Sequence, residues 1–345
     1  MSGITIIADS GTQFEAGAAE YNSIDRLDDN NYVIAYRDNN DFNYGKVNVG
    51  SRTGTSVTIS ESNAVVFNAD DTDLITVRKM SSTLIVISYR DVNSNVSYVI
   101  CATISGTTIT VGAAKQVDGT SQTESVSVAV LDETNIVASR SYSTNTWCYV
   151  GSVSGTTITL GNYQQLSLMS YVNLMGLDST HFINAGSLNT TLYTVIGTVD
   201  VALKTISFGG TQSGGTIDAS VIPNITLFDS THFIVGYSQP FTACLVFRAG
   251  SINLSTGVVT YGNVLDSGLG ATVSHFSICT MGYSFLVSYY TTTDTQGEIR
   301  SGTLTGDTAI AWDAQGAVVF DTTTTAYTTL CGLTDDYFIL GFKEG

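Results

Sequence analysis

Apolar and polar residues alternate with a period of two over short runs, such as ESVSVAVL (124–131) and IVASRSY (136–142), and small polar residues separate the runs. That period places alternate side chains on opposite faces of a strand. No ten-residue stretch carries the i, i+3, i+4 spacing of an amphipathic helix, so the pattern predicts an all-β chain. One phrase organises it. LDSTHFINAG at 177–186 returns as FDSTHFIVGY at 228–237. Weaker copies are LDDNNYVIAY (27–36), MSSTLIVISY (80–89), LDETNIVASR (131–140), MGYSFLVSY (281–289) and LTDDYFILGF (333–342). The seven starts are separated by 53, 51, 46, 51, 53 and 52 residues. A period of about fifty residues marks one supersecondary unit repeated along the chain.

Each unit reads as four strands. In the third, ESVSVAVL, IVASRSY, WCYVGSVSG and TTITLGNYQQL follow one another through short polar turns. Four antiparallel strands per repeat, seven times over, predict a seven-bladed β-propeller of mostly four-stranded blades in a single domain, residues 1–345. Three residues before each phrase stands an apolar residue: Ile24, Val77, Val128, Leu174, Ile225, Ile278 and Leu330. One position earlier stands a small polar one: Ser23, Thr76, Ser127, Asn173, Asn224, Ser277 and Thr329. Adjacent strand residues face apart, so the second set is expected to line the channel. A column in the second strand is uniformly small (Ala35, Ser88, Ser139, Ala185, Gly236, Ser288 and Gly341), as close approach of neighbouring sheets requires. The large residues opening that strand, from Tyr32 to Phe338, are expected to fill the gaps between blades.

Asp28, Asp132, Asp178 and Asp229 begin the turn between the first two strands, where a short carboxylate can accept amide hydrogens two residues on. His181 and His232 occupy equivalent places in that turn, which favours a turn role over catalysis. At the ends, MSGITI aligns with VSGTTI at 153–158, and the chain stops just after a second strand. A closing blade is therefore expected from residues 1–16 plus 322–345, three-stranded or completed by another chain through its open edge.

Composition narrows the function classes. The formal net charge is −17, with 30 acidic and 13 basic residues. That surface repels phosphate backbones, and no basic stripe opposes it, so nucleic acid is not an expected partner. The first residues lack the basic and apolar regions of a secretory signal, and no apolar run is long enough to span a bilayer, so membrane insertion is not expected. Five scattered cysteines, Cys101, Cys148, Cys244, Cys279 and Cys331, replace small hydrophobes of sister repeats and read as packed thiols. Neither a metal site nor a cofactor is expected. Asp70, Asp71 and Asp73 read as a solvated acidic loop, because they lack the glycine and distal glutamate of a calcium loop.

The repeat resembles β-propeller repeats as a class, over the whole chain. It carries a single Trp-Asp pair, Trp312-Asp313, no recurring Gly-Gly and no Asp-box, so it departs from the WD40, kelch and sialidase patterns. AYRD (35–38), echoed as SYRD (88–91), is similar to repeats in uncharacterised bacterial and bacteriophage proteins. That resemblance implies a virion or extracellular, cell-surface setting.

Binding is expected on the face carrying the loops after each second strand. These combine amides and acids with aromatic rings, and the candidates are Arg37, Asp38, Arg90, Asp91, Trp147, Tyr193, Phe241 and Asp294. Sugars suit such a surface, because hydroxyls pair with planar amides and carboxylates while rings cover C–H faces. The leading expectation is a non-enzymatic structural or recognition module, a phage tail or fibre component or a surface protein. It would bind glycan or the protein chains of an assembly, in a homo- or hetero-oligomer. Two alternatives stand beside it. An intracellular interaction scaffold is one. The other is a carbohydrate-active propeller enzyme, which requires carboxylates converging about 5–9.5 Å apart at the channel mouth.

Overall fold

A computed structural model describes residues 11–117, 122–167, 169–218, 221–239, 244–268, 273–291, 296–322 and 325–344. Strands follow the predicted units closely. In the third, Ser125–Val130, Asn135–Tyr142, Asn145–Ser154 and Thr157–Ser167 pair antiparallel in chain order. The fourth unit (first strand Ser170–Gly176), the fifth (Asn224–Leu227) and the sixth (Val273–Met281) repeat that order. The first two units depart from it. One continuous 17-residue strand, Val65–Ser81, pairs at its start with Tyr44–Thr53 and further on with Leu84–Asp91. The two units are thereby hydrogen-bonded into one nine-stranded sheet. Among the described residues the last unit has two strands, Thr325–Gly332 and Phe338–Glu344. The strand expected there from the N-terminus falls largely on residues 1–10, outside the described residues.

First strands contact one another in sequence around the molecule, and Thr325–Gly332 contacts Ala19–Arg26. At that junction Lys343 Nζ lies 2.7 Å from Glu20 Oε1. Asn22 Nδ2 donates to the Tyr327 carbonyl at 3.1 Å, and Ile24 packs with Cys331, Leu333 and Ile339.

The aligned columns explain the packing. All seven apolar first-strand residues are buried. The small second-strand residues are buried too, and a Cβ at Gly236 would come within 2.6 Å of Ile278 Cδ1. Five of the large residues opening second strands face glycines on third strands, Tyr32 facing Gly50, Ile136 Gly151, Phe182 Gly197, Phe233 Gly250 and Phe285 Gly302, while Ile85 faces Ala102. A Cβ at Gly197 would sit 2.2 Å from the Phe182 ring. The absent side chain is what lets the ring lie flat on the sheet.

The polar column has a more definite task than lining a channel. The inner edge of each first strand has no sheet neighbour, and an unpaired buried N–H is costly. Ser23 Oγ accepts the Val77 N–H, Ser127 Oγ the Leu174 N–H and Ser277 Oγ the Leu330 N–H, each at 3.0 Å. Each hydroxyl thus fastens the next unit. Asn173 reaches the Pro223 carbonyl at 3.3 Å. Thr76 and Asn224 are half-buried in the same column, and Thr329 is buried.

Candidate functional site

First strands are interrupted at one recurring place. Register shifts fall between Glu20 and Ser23, Asp73 and Thr76, Ser170 and Asn173, Val273 and Phe276, and Ala326 and Thr329. Within four of these bulges a non-glycine residue takes left-handed backbone: Tyr21 (φ 51°), Leu74 (51°), Tyr171 (50°) and Tyr327 (50°). A bulge re-aims a side chain at the rim of a sheet. Left-handed backbone at a bulky residue stores strain that is found at functional sites.

Around the bulges of the last and first units three rings come together. The Tyr21 and Tyr327 centroids are 5.3 Å apart, and His275 stands 4.3 Å from Tyr327. The Arg37 guanidinium lies 4.8 Å from the Tyr21 centroid, within cation–π range. Carboxylates and cations alternate beside the rings. Glu20 faces Arg37 across the first strand pair and Asp73 faces Arg90 across the second, both as ion pairs. Asp71 stands 3.5 Å from Arg37 Nη1. Arg90 donates through Nε to Asp73 Oδ1 at 2.7 Å and through Nη1 to the Thr123 carbonyl at 2.7 Å. Lys343 takes the place of Arg37 in the last unit and reaches across to Glu20.

The third unit breaks the pairing. It has no bulge, so Ser125 rather than Glu124 lies opposite Ser141, with the two hydroxyls 2.6 Å apart. The residue matching Arg37 and Arg90 is now Ser141. Glu124 Oε2 is buried without a hydrogen-bond partner. Burial pushes the Glu124 carboxyl above the usual range, against one amide hydrogen bond from Ser143. Burial acts the same way on Glu20, but hydrogen bonds and charge from Lys343 and Arg37 outweigh it and hold that carboxyl low. Burial, then the Glu20 charge, pushes the Tyr327 phenol up to about 12. Burial shifts His275 down, toward the neutral imidazole. The cluster thus offers an ionised carboxylate, a neutral imidazole and guanidinium donors together, groups that can take part in acid–base chemistry.

Of the residues expected from sequence, Arg37 and Arg90 belong to this cluster. Asp38 points the other way and pairs with Lys46. Asp91 accepts the Ser94 N–H at 2.8 Å and holds a turn. Trp147 carries the Arg140 guanidinium 4.1 Å from its ring, and Tyr193 packs into the core. Phe241 and Asp294 lie outside the described residues. Asp71 and Asp73 turn to arginines, while Asp70 accepts from Asn93. Among the described residues no group of three or more His, Cys, Asp or Glu is placed to hold a metal. Two clefts, of about 430 and 480 Å³, lie by the turns between first and second strands. Their carboxylates, Asp200 and Asp28, accept hydrogen bonds from turn amides.

Glu20, Tyr21, Glu124, His275, Tyr327 and Lys343 were not among the expected residues. The carboxylate row was readable as a column in the aligned repeats, as was the cation row of Lys343, Arg37 and Arg90. Nothing in the sequence announces the bulges that turn the rings.

No family model and no curated protein sequence matches the chain. Solved structures do. A candidate 6-phosphogluconolactonase from Bacteroides fragilis aligns over 93% of this chain and 86% of its own, with a TM-score of 0.63 and 9% identity. A second, from Bacteroides uniformis, aligns over 93% and 87%, with a TM-score of 0.59 and 11% identity. The six-bladed, fucose-recognising lectin of Aleuria aurantia aligns over 91% and 99%, with a TM-score of 0.52 and 12% identity. The fold is that of a β-propeller. At these identities the likeness carries the architecture alone. It does correct the leading expectation of a non-enzymatic virion appendage. The propellers named here are described as sugar-lactone enzymes and a sugar-binding lectin, and none is a virion part. The enzyme alternative accords better with them.

Proposed function

We propose that this chain is a carbohydrate-active propeller enzyme that opens sugar lactones by hydrolysis at the bulge cluster. The observation that carries the reading is Glu20, a carboxylate paired with Lys343 and Arg37 beside the Tyr21, Tyr327 and His275 rings. In the proposed step the Glu20 carboxylate takes a proton from water as the water oxygen bonds to the lactone carbonyl carbon. Arg37 steadies the charge that grows on the carbonyl oxygen. The ring C–O bond then breaks, and Glu20 gives the proton it took to the departing ring oxygen. The product is the open hydroxy acid, and Glu20 is again ionised. Similarity to two candidate lactonases supports the substrate class.

The ring that presents the cluster is proposed to have seven blades in one domain, with the closing blade drawn from residues 1–16 and 322–345. Contact of Thr325–Gly332 with Ala19–Arg26 supports that closure.

The test is a lactone-hydrolysis assay on the full chain with Glu20→Gln and Asp91→Asn. Loss of about 10²–10⁴ in kcat in E20Q, with the melting temperature kept and D91N unaffected, is the expected result. Sugar binding with no turnover, or full activity in E20Q, would overturn the reading.

A further inference from the structure

We infer that the bulge cluster takes an uncharged sugar ring, laid on the Tyr327–Tyr21 surface, and disfavours a phosphorylated one. This rests on the reading of the cluster as the sugar site and narrows its substrate.

Charge is the first argument. Arg37, Arg90 and Lys343 are the cations of the site, and each is already paired: Arg37 with Glu20 and Asp71, Arg90 with Asp73, Lys343 with Glu20. An incoming phosphate would compete with these carboxylates for the same donors, and at Arg90 it would strip the buried Asp73 of its guanidinium, which is costly. The chain carries a net charge of −17, which weakens the approach of a dianion further. Sugar hydroxyls need no such exchange. They both donate and accept, so they can bridge a carboxylate and a guanidinium without breaking the pair.

The rings are the second argument. Tyr21 and Tyr327 are half-buried, 5.3 Å apart and inclined by 50°, and His275 continues the surface 4.3 Å beyond Tyr327. Both tyrosines occupy left-handed backbone, a conformation that costs about 1–3 kcal/mol for such residues. Glycine would adopt it freely, whereas the tyrosines bring their rings to the Arg37 and Lys343 charges. An aromatic face suits the C–H side of a pyranose, whose hydroxyl edge then meets the paired charges.

The experiment compares hydrolysis of glucono-1,5-lactone and of its 6-phosphate by the full chain, with spontaneous hydrolysis subtracted, for the wild type, Tyr327→Gly and Tyr327→Phe. Glycine relieves the left-handed backbone, so Y327G is expected to fold, and its melting curve checks this. The neutral lactone is expected to show kcat/KM about tenfold or more above the phosphate. Y327G should raise KM for it about three- to tenfold with kcat nearly kept, and Y327F should restore most of that loss. Preference for the phosphate, or a KM unmoved in a folded Y327G, overturns this inference and leaves the enzyme reading standing. Turnover of neither lactone removes the enzyme reading itself, and this inference with it.

Discussion

Two buried or turn-bound side chains give the sharpest tests at the level of single residues. Asn184 is fully buried, and neither its Nδ2 nor its Oδ1 has a partner, while the equivalent second-strand positions hold Ile34, Ile87, Ala138, Val235, Val287 and Leu340. An unpaired buried amide costs about 1–3 kcal/mol. Asn184→Val should therefore raise the urea midpoint, and a lowered midpoint would mean that the amide is satisfied by buried water. The turn carboxylates behave in the opposite sense. Asp178 accepts the Thr180 and His181 amides at 2.7 and 2.8 Å, and Asp28, Asp132 and Asp229 act alike. Burial raises the pKa of each, but these bonds outweigh it and hold all four carboxyls below their ordinary value. A depressed folded pKa contributes stability above the unfolded value, about 3.9, and that stability is lost as pH falls through the folded pKa. Melting temperature should thus decline below about pH 4, and less steeply in Asp178→Asn. These aspartates were legible in the sequence because an Asx turn is a local motif. Asn184 was not, since its environment is built by strands distant in the chain.

Between strands, the ring-over-glycine pairs and the serine fasteners hold the units in shape. Gly250→Ala would place a Cβ 2.4 Å from the Phe233 ring. Overpacking of this kind costs about 1–3 kcal/mol, so G250A should melt earlier. Gly106→Ala, where a Cβ meets nothing within 4 Å, separates this effect from strain, because its backbone is left-handed (φ 61°) and only the strain remains. Ser127→Ala would strip the Leu174 N–H of its acceptor, for a loss of about 1–3 kcal/mol read from chemical denaturation. The strands themselves were legible because alternation is local and repeats seven times. The continuous strand Val65–Ser81 was not, because its two halves read as members of separate units. The bulges escaped for a related reason: Tyr21, Leu74, Tyr171 and Tyr327 share a backbone conformation but not a residue type.

For the molecule as a whole, the period of about fifty residues made the propeller architecture readable before any coordinates. The expectation of a site on the face after the second strands led to Arg37 and Arg90. It missed their carboxylate partners, because those sit on first strands, and cross-strand pairing is a property of register. Function was misread where it leaned on a loose likeness of AYRD and SYRD to phage repeats. The central claim is that the ionised Glu20 is the base of hydrolysis. The pH dependence of kcat/KM for lactone hydrolysis tests it most directly, in the wild type and in Glu20→Gln. The account predicts an acid limb that reports protonation of Glu20, set below the ordinary glutamate range because, against burial, Lys343 and Arg37 hold that carboxyl low. In E20Q the residual rate should lack this limb. An unchanged acid limb in E20Q, with activity retained, would contradict the account.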